Sequence, residues 1–147
     1  MQYATLTEAN AYFATRLHTD AWDAASDSNR NKALIEATRA IDLLNYNGDK
    51  TDSEQETEFP RGGDEVVPTD IQIASYEIAY ALLDGVDMEL EYRDLGAISE
   101  GYSSVRSTYD RTLAQEHIAA GIPSAAAWRR LKPYLRDGLS FKLSRVN

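Results

Sequence analysis

Apolar residues recur at steps of three and four in four stretches of the chain, the pattern of a helix that buries one face. The first stretch follows Thr5–Glu8, which has the spacing of a capping box; the others begin after Ser26, Pro68 and Pro123. The third ends at Gly85, where a left-handed helix cap is expected. The four apolar faces are Ala9, Tyr12, Phe13 and Leu17; Leu34, Ala37, Ile41 and Leu44; Ile71, Ala74, Ile78 and Leu82; and Ala125, Trp128, Leu131 and Leu135. The pattern therefore predicts a mainly α protein, a small bundle of about four helices.

Between the third and fourth helices the apolar period changes from helical spacing to two. The alternating residues are Val86, Met88, Leu90 and Tyr92. Alternation of this kind is typical of a half-buried strand, and the nearest partner for such a strand is Gly101–Tyr109. The sequence thus predicts a β-hairpin arm around residues 86–109.

A second alternating stretch lies in residues 138–147, where Leu139, Phe141 and Leu143 are separated by polar residues. No partner strand for it is visible in the chain, so an external partner is expected. The predicted organisation is a helical domain over residues 1–137, carrying the β-arm, followed by an extended C-terminal tail over residues 138–147.

Residues 45–64 are polar and acidic and contain several glycines and a proline, so they are predicted to form a long loop with Phe59 as its apolar anchor. Loops of this length usually have a role. The segment Asn45–Glu56 places oxygen-bearing residues at the spacing of a calcium loop, but Lys50 occupies the position that needs glycine. A solvated loop is the expected structure.

No constellation of residues indicates catalysis or metal binding. The chain has no cysteine, which excludes disulfides and thiolate chemistry. His18 and His117 have no metal-binding spacing, and Gly101–Val105 lacks the second glycine of a nucleophile elbow. We therefore expect no enzyme activity, no catalytic residue, no cofactor and no metal.

Composition and charge narrow the possible functions. With 43% hydrophobic and 27% charged residues the 147-residue chain has an ordinary globular composition, and no apolar run reaches membrane-spanning length. The net charge of -9 argues against broad affinity for nucleic acid. However, the stretch Arg129–Asn147 contains six basic residues and one acid, Asp137. Residues 1–128, the body of the chain, are thus acidic overall, and a basic segment follows them.

This basic segment is also where residues for partner contacts are expected. Aromatic residues with a polar tip are enriched at interfaces, and little of the predicted core is left for those near the end of the sequence. The candidate interface residues are Trp128, Arg129, Arg130, Tyr134, Arg136, Leu139, Phe141 and Leu143.

Four short motifs, taken in order, resemble those of a known group of phage proteins. They are Tyr3–Phe13, Ala33–Gly48, the stretch from Phe59-Pro60-Arg61 through Val67-Pro68 to Leu83, and Gly121–Leu135. In this respect the chain is similar to the small head-tail adaptors, or head completion proteins, and to a related phage family labelled DnaT-like single-stranded-DNA-binding proteins.

The adaptor resemblance implies a virion structural protein, made in the host cytoplasm and located at the head-tail junction. Such a subunit joins others, commonly twelve, in a ring that contacts the portal and the tail or neck proteins. Genomic DNA passes through the ring without sequence-specific binding, which suits an acidic wall. No membrane contact is implied. The alternative is a single-stranded-DNA-binding protein, whose contacts would lie in the basic segment with its interleaved aromatics.

Overall fold

The computed structural model describes residues 1–94 and 116–136. Within these ranges the chain is mainly helical, as predicted, and contains no strand, only two isolated β-bridges. The helices are α1 (Leu6–Phe13), α2 (Asp20–Ala24), α3 (Asp27–Asp42), α4 (Thr69–Leu83), the helical residues 88–94 (α5) and 116–119 (α6), and α7 (Ala125–Leu131), which continues as a 3₁₀ turn (Lys132–Tyr134). No helix in the described ranges is long and apolar enough to cross a membrane.

Helix α4 lies at the centre of the fold and packs mainly against α3 and α7. Its buried residues include Ile71, Ala74 and Ile78, which the spacing of apolar residues placed on one face. On α3, the predicted face is likewise buried at Leu34 and Ile41. Burial of each of these leucine and isoleucine side chains stabilises the fold by about 1.5–3 kcal/mol, so the α3–α4 contact contributes substantially to stability.

The helix starts follow from local hydrogen bonds that the sequence signals. At α1 the Thr5 hydroxyl accepts from the Glu8 N–H at 3.1 Å, and the Glu8 carboxylate accepts from the Thr5 N–H at 2.8 Å. The Ser26 and Ser124 hydroxyls cap α3 and α7 in the same way, each at 3.1 Å. Gly85 has φ +98°, the left-handed conformation expected after α4.

Two parts of the amino-terminal region differ from the apolar pattern. Because α1 ends at Phe13, Leu17 falls outside the helix and is 79% exposed. The short helix α2 was not predicted; it places Trp22 against Phe13 with ring centroids 4.4 Å apart. Stacked aromatic rings thus close the core where a longer α1 was expected.

The predicted β-arm is wrong over its first half, since residues 88–94 form helix α5. The Asp87 carboxylate accepts from the backbone N–H of Glu89 at 3.0 Å and of Leu90 at 3.5 Å, which favours a helix start. The alternation also does not produce a buried face, because Leu90 and Tyr92 are 44% and 45% exposed. The rest of the arm, residues 95–109, lies outside the described residues, as does the tail over residues 138–147.

Tyrosine hydroxyls held inside the fold predict a loss of stability at alkaline pH. Burial and the neighbouring Glu77 carboxylate raise the pKa of Tyr12 to about 12, and burial also raises the pKa values of Tyr3 and Tyr46. In the unfolded chain these phenols ionise near the ordinary value of 10.0. Their contribution to stability is therefore complete below about pH 10 and is lost as the pH rises through the folded-state pKa values.

We expect the free energy of unfolding in urea to fall between about pH 9 and about pH 11, with phenolate absorbance rising as the chain unfolds. Tyr12→Phe should reduce that fall, because it removes one of the titrating groups. Equal unfolding free energies of the parent chain at the two pH values would contradict the prediction.

Candidate functional site

The long loop after α3 is anchored by Phe59, as predicted. The Phe59 side chain is 2% exposed and lies among three tyrosine rings. Its ring centroid is 4.7 Å from that of Tyr46, 5.7 Å from that of Tyr134 and 6.2 Å from that of Tyr3. Since Tyr134 follows α7, this cluster joins the loop to the part of the chain that leads into the basic segment.

Arg61 fixes the shape of the same loop from the other side. Its guanidinium donates to the carbonyl oxygens of Asn47 at 3.0 Å and Tyr46 at 3.4 Å, and also to that of Gly48. A salt bridge of 2.7 Å joins it to the Glu58 carboxylate. With its side chain 12% exposed, Arg61 serves the fold and offers little to an external anion.

Backbone hydrogen bonds hold the end of the 3₁₀ turn against the start of the loop. The Asn47 N–H donates to the Tyr134 carbonyl, and the Arg136 N–H donates to the Asn45 carbonyl, both at 3.0 Å. The Asn47 side-chain amide adds a bond of 2.9 Å to the Leu135 carbonyl. The point at which residues 137–147 leave the described structure is therefore fixed relative to α3.

The last described segment carries three exposed cations, which we call the exit arginines: Arg129 and Arg130 of α7, and Arg136. Arg130 forms a 2.7 Å ion pair with Asp70, in which both side chains are nearly half exposed. An exposed ion pair contributes little free energy in water, so Arg130 can exchange Asp70 for another anion. Arg136 is exposed and also donates to the Tyr46 carbonyl at 3.3 Å.

Tyr134 is the aromatic residue beside these cations. Its hydroxyl donates to Asp70 at 3.3 Å, and burial together with that carboxylate raises its pKa. The ring is partly exposed and lines a small cleft of about 220 Å³, together with Pro68 and Pro133. A partly exposed aromatic ring close to cations is a surface on which a nucleobase can stack.

The other predicted interface residues have different positions. Trp128 is 5% exposed, as the apolar face of its helix predicts, and its indole N–H donates to Glu116 at 2.9 Å, so its ring offers little surface to a partner. The cause is α6, whose Glu116 offers the buried indole an acceptor; the same carboxylate accepts from Lys132 at 3.2 Å. Leu139, Phe141 and Leu143 lie outside the described residues.

A partly buried charged network between α1 and α4 was not predicted from the sequence. Arg16 on the α1 side donates to both carboxylate oxygens of Glu77 on α4, at 2.9 and 3.0 Å, and Tyr12 donates to the same carboxylate. The Arg16 guanidinium also lies 4.4 Å from the Tyr80 ring centroid. Arg16 and Glu77 are distant in sequence, so their spacing does not predict the pair. The one indication was an acidic residue, Glu77, within the apolar run of α4.

The described residues hold no group of three histidine or acidic side chains that could bind a metal ion. His18 is exposed, and the His117 ring nitrogen is 2.7 Å from the Ile122 carbonyl oxygen. In the calcium-like loop, the Tyr46, Asn47 and Gly48 carbonyls already accept from Arg61. The exposed cations near the end of the described residues are therefore the candidate site.

Comparison with known proteins gives one match. A family model described as "Putative DnaT-like ssDNA binding protein" matches residues 2–146. No curated protein and no solved structure matches the chain. Of the two families that the motifs resemble, the comparison therefore supports the DnaT-like one, and it gives no match to a head-tail adaptor.

Proposed function

The chain belongs to the DnaT-like family whose model it matches over residues 2–146, and we propose that it binds single-stranded DNA through its basic stretch, Arg129–Asn147. The observation that carries this proposal is the exposed exit arginines in the same segment as the partly exposed Tyr134 ring, where Arg130 and Tyr134 both contact Asp70. Cations that track phosphates and an aromatic face for a base are the two parts of a sequence-tolerant single-strand site.

Charge sets the expected strength of this interaction. The whole chain carries -9, and Asp70 lies directly between Arg130 and Tyr134. A phosphate that approaches the exit must compete with that carboxylate, so binding should be weak and should fall steeply with salt. The acidic body keeps the strand at the basic stretch and away from the rest of the surface.

The test is the anisotropy of a labelled oligonucleotide titrated with the protein at about 50 and about 200 mM salt. Replacing Arg129 and Arg130 by alanine should weaken binding and lower the salt slope by about 1.4, since each phosphate contact to a single strand contributes about 0.7. The matched control replaces Lys32 and Arg39, two exposed cations of α3, and changes the net charge equally.

The control should bind nearly as well as the parent chain. Equal weakening by the two double variants would mean that only net charge matters, and absence of any salt-dependent binding would refute the proposed site.

A second candidate is the head-tail adaptor, favoured by the distribution of aromatic side chains. Within the described residues, most aromatic rings are buried in the core, among them Phe13, Trp22, Tyr46, Phe59 and Trp128. The body thus lacks a long row of stacking platforms, and the apolar alternation of residues 138–147 suits a segment that orders itself on a protein. Such an adaptor would form a ring, of twelve copies by resemblance, and bind the portal and the tail or neck proteins.

Light scattering distinguishes the candidates. A defined complex with the portal of the same phage, without oligonucleotide binding, would favour the adaptor, whereas oligonucleotide binding and indifference to the portal would favour the DNA-binding protein.

A further inference from the structure

A groove is lined by residues of α3, α4, the turn after α4, the start of α5 and the turn before α7. Its volume is about 590 Å³, which is within the range of sites that hold peptide side chains or small ligands. Ala40, Ile78, Leu82, Val86 and Met88 supply apolar lining. Apart from Ile78, these side chains are only partly buried, so the groove offers apolar surface that a further segment could cover.

The charged residues that line this groove are all acidic: Glu36, Asp87 and Glu89. All three are exposed. Lys32 and Arg39 of α3 do not line this groove; they line the neighbouring cleft, which shares Glu36 and Leu82 with it. We call this surface, with its apolar lining and its three carboxylates, the acidic groove.

We propose that the acidic groove binds residues 138–147 of the same chain and thereby withdraws them from DNA. The segment is complementary to the groove in both its apolar residues and its charge. Leu139, Phe141 and Leu143 share one face if the segment is extended, and Lys142 and Arg145 supply the opposite charge.

The place where the chain leaves the body supports binding within one molecule. The Arg136 N–H is bonded to Asn45, only five residues after Ala40, which lines the groove. Because five residues span at most about 18 Å, the exit lies within that distance of this edge of the groove. Ten residues can extend to about 33 Å, so the segment reaches. Because a tethered segment acts at a high effective concentration, it outcompetes a second copy.

Residues 138–147 would therefore bind either the carboxylates of the acidic groove or the phosphates of DNA. Docking in the groove would inhibit DNA binding, and a DNA strand would have to displace the segment. This consequence rests on the proposed function, whereas the docking itself does not. It also gives the acidic body a specific role beyond general repulsion of DNA.

The experiment uses the absence of cysteine in the chain. Ser144→Cys introduces one thiol, which is labelled with a small fluorophore whose anisotropy reports immobilisation of the segment. Glu36→Gln with Glu89→Gln removes two groove carboxylates, and Glu54→Gln with Glu56→Gln is the charge-matched control on the exposed loop. The anisotropy should fall in the groove variant, remain high in the control and be unaffected by tenfold dilution.

An anisotropy that is equal in the parent chain and the groove variant would overturn the proposal, and so would one that falls on dilution, because a second copy would then be the occupant. In the oligonucleotide titration, the groove variant should bind about threefold more tightly than the loop control. If neither the groove variant nor the loop control binds DNA, the proposed function is wrong. The anisotropy of the fluorophore on residue 144 still tests whether the segment docks in the groove. If both bind equally, the inhibitory role is wrong.

Discussion

Phe59→Ala is expected to lower the free energy of unfolding by about 3–5 kcal/mol, the range for removal of a buried aromatic ring from a core. The ring is 2% exposed and contacts Tyr3, Tyr46 and Tyr134, which belong to three separate parts of the chain. A domain of this size has a total stability of about 5–15 kcal/mol, so the variant should lose a large share of it. Urea denaturation followed by circular dichroism measures the change.

Val66→Ala is the control, because Val66 lies in the same connection between α3 and α4 and is 73% exposed. Its effect should stay within about 0.5 kcal/mol. A Phe59→Ala loss as small as that of the control would show that the aromatic cluster does not hold the loop.

Arg16→Met should destabilise the fold by about 3 kcal/mol, because it leaves the Glu77 carboxylate buried without its charged partner. The Glu77 side chain is 9% exposed, while that of Arg16 is 25% exposed, so we place the effect at the lower end of the range for buried pairs. The bidentate geometry, with bonds of 2.9 and 3.0 Å, makes the pair stronger than an ordinary contact.

Two further variants separate loss of the pair from loss of packing. Arg130→Met breaks the exposed pair with Asp70 and should cost less than about 1 kcal/mol. Arg16→Met combined with Glu77→Leu replaces both charges by apolar groups and should recover much of the stability lost in the single variant. No recovery in the double variant would point to a packing role for Arg16.

Much of the helical core could be predicted from the sequence, because its helices carry local signals. Thr5, Ser26 and Ser124 each cap the predicted helix start, and the apolar faces of α3 and α4 are buried where the spacing placed them. Residues 86–92 show the limit of such patterns. There the alternation suggested a strand, but the Asp87 side chain stabilises a helix start, and nothing in the described residues pairs with the segment.

The candidate site was predictable in composition but not in detail. Charge counting placed the cations at Arg129–Asn147, and three of them lie exposed at the exit. The burial of Trp128 depends on Glu116, which is twelve residues away and has no spacing that marks it as an acceptor. Likewise, Arg61 and Glu77 act through partners that only the folded chain brings near.

The backbone bonds between Asn45–Asn47 and Tyr134–Arg136 also determine how the protein carries mechanical load. A partner or a moving strand that pulls on residues beyond Arg136 applies tension to the antiparallel bridge between Tyr46 and Leu135. That bridge transmits the force to the end of α3 and to the buried ring cluster around Phe59. Without it, tension would act on α7 alone and peel a seven-residue helix from the surface of α4.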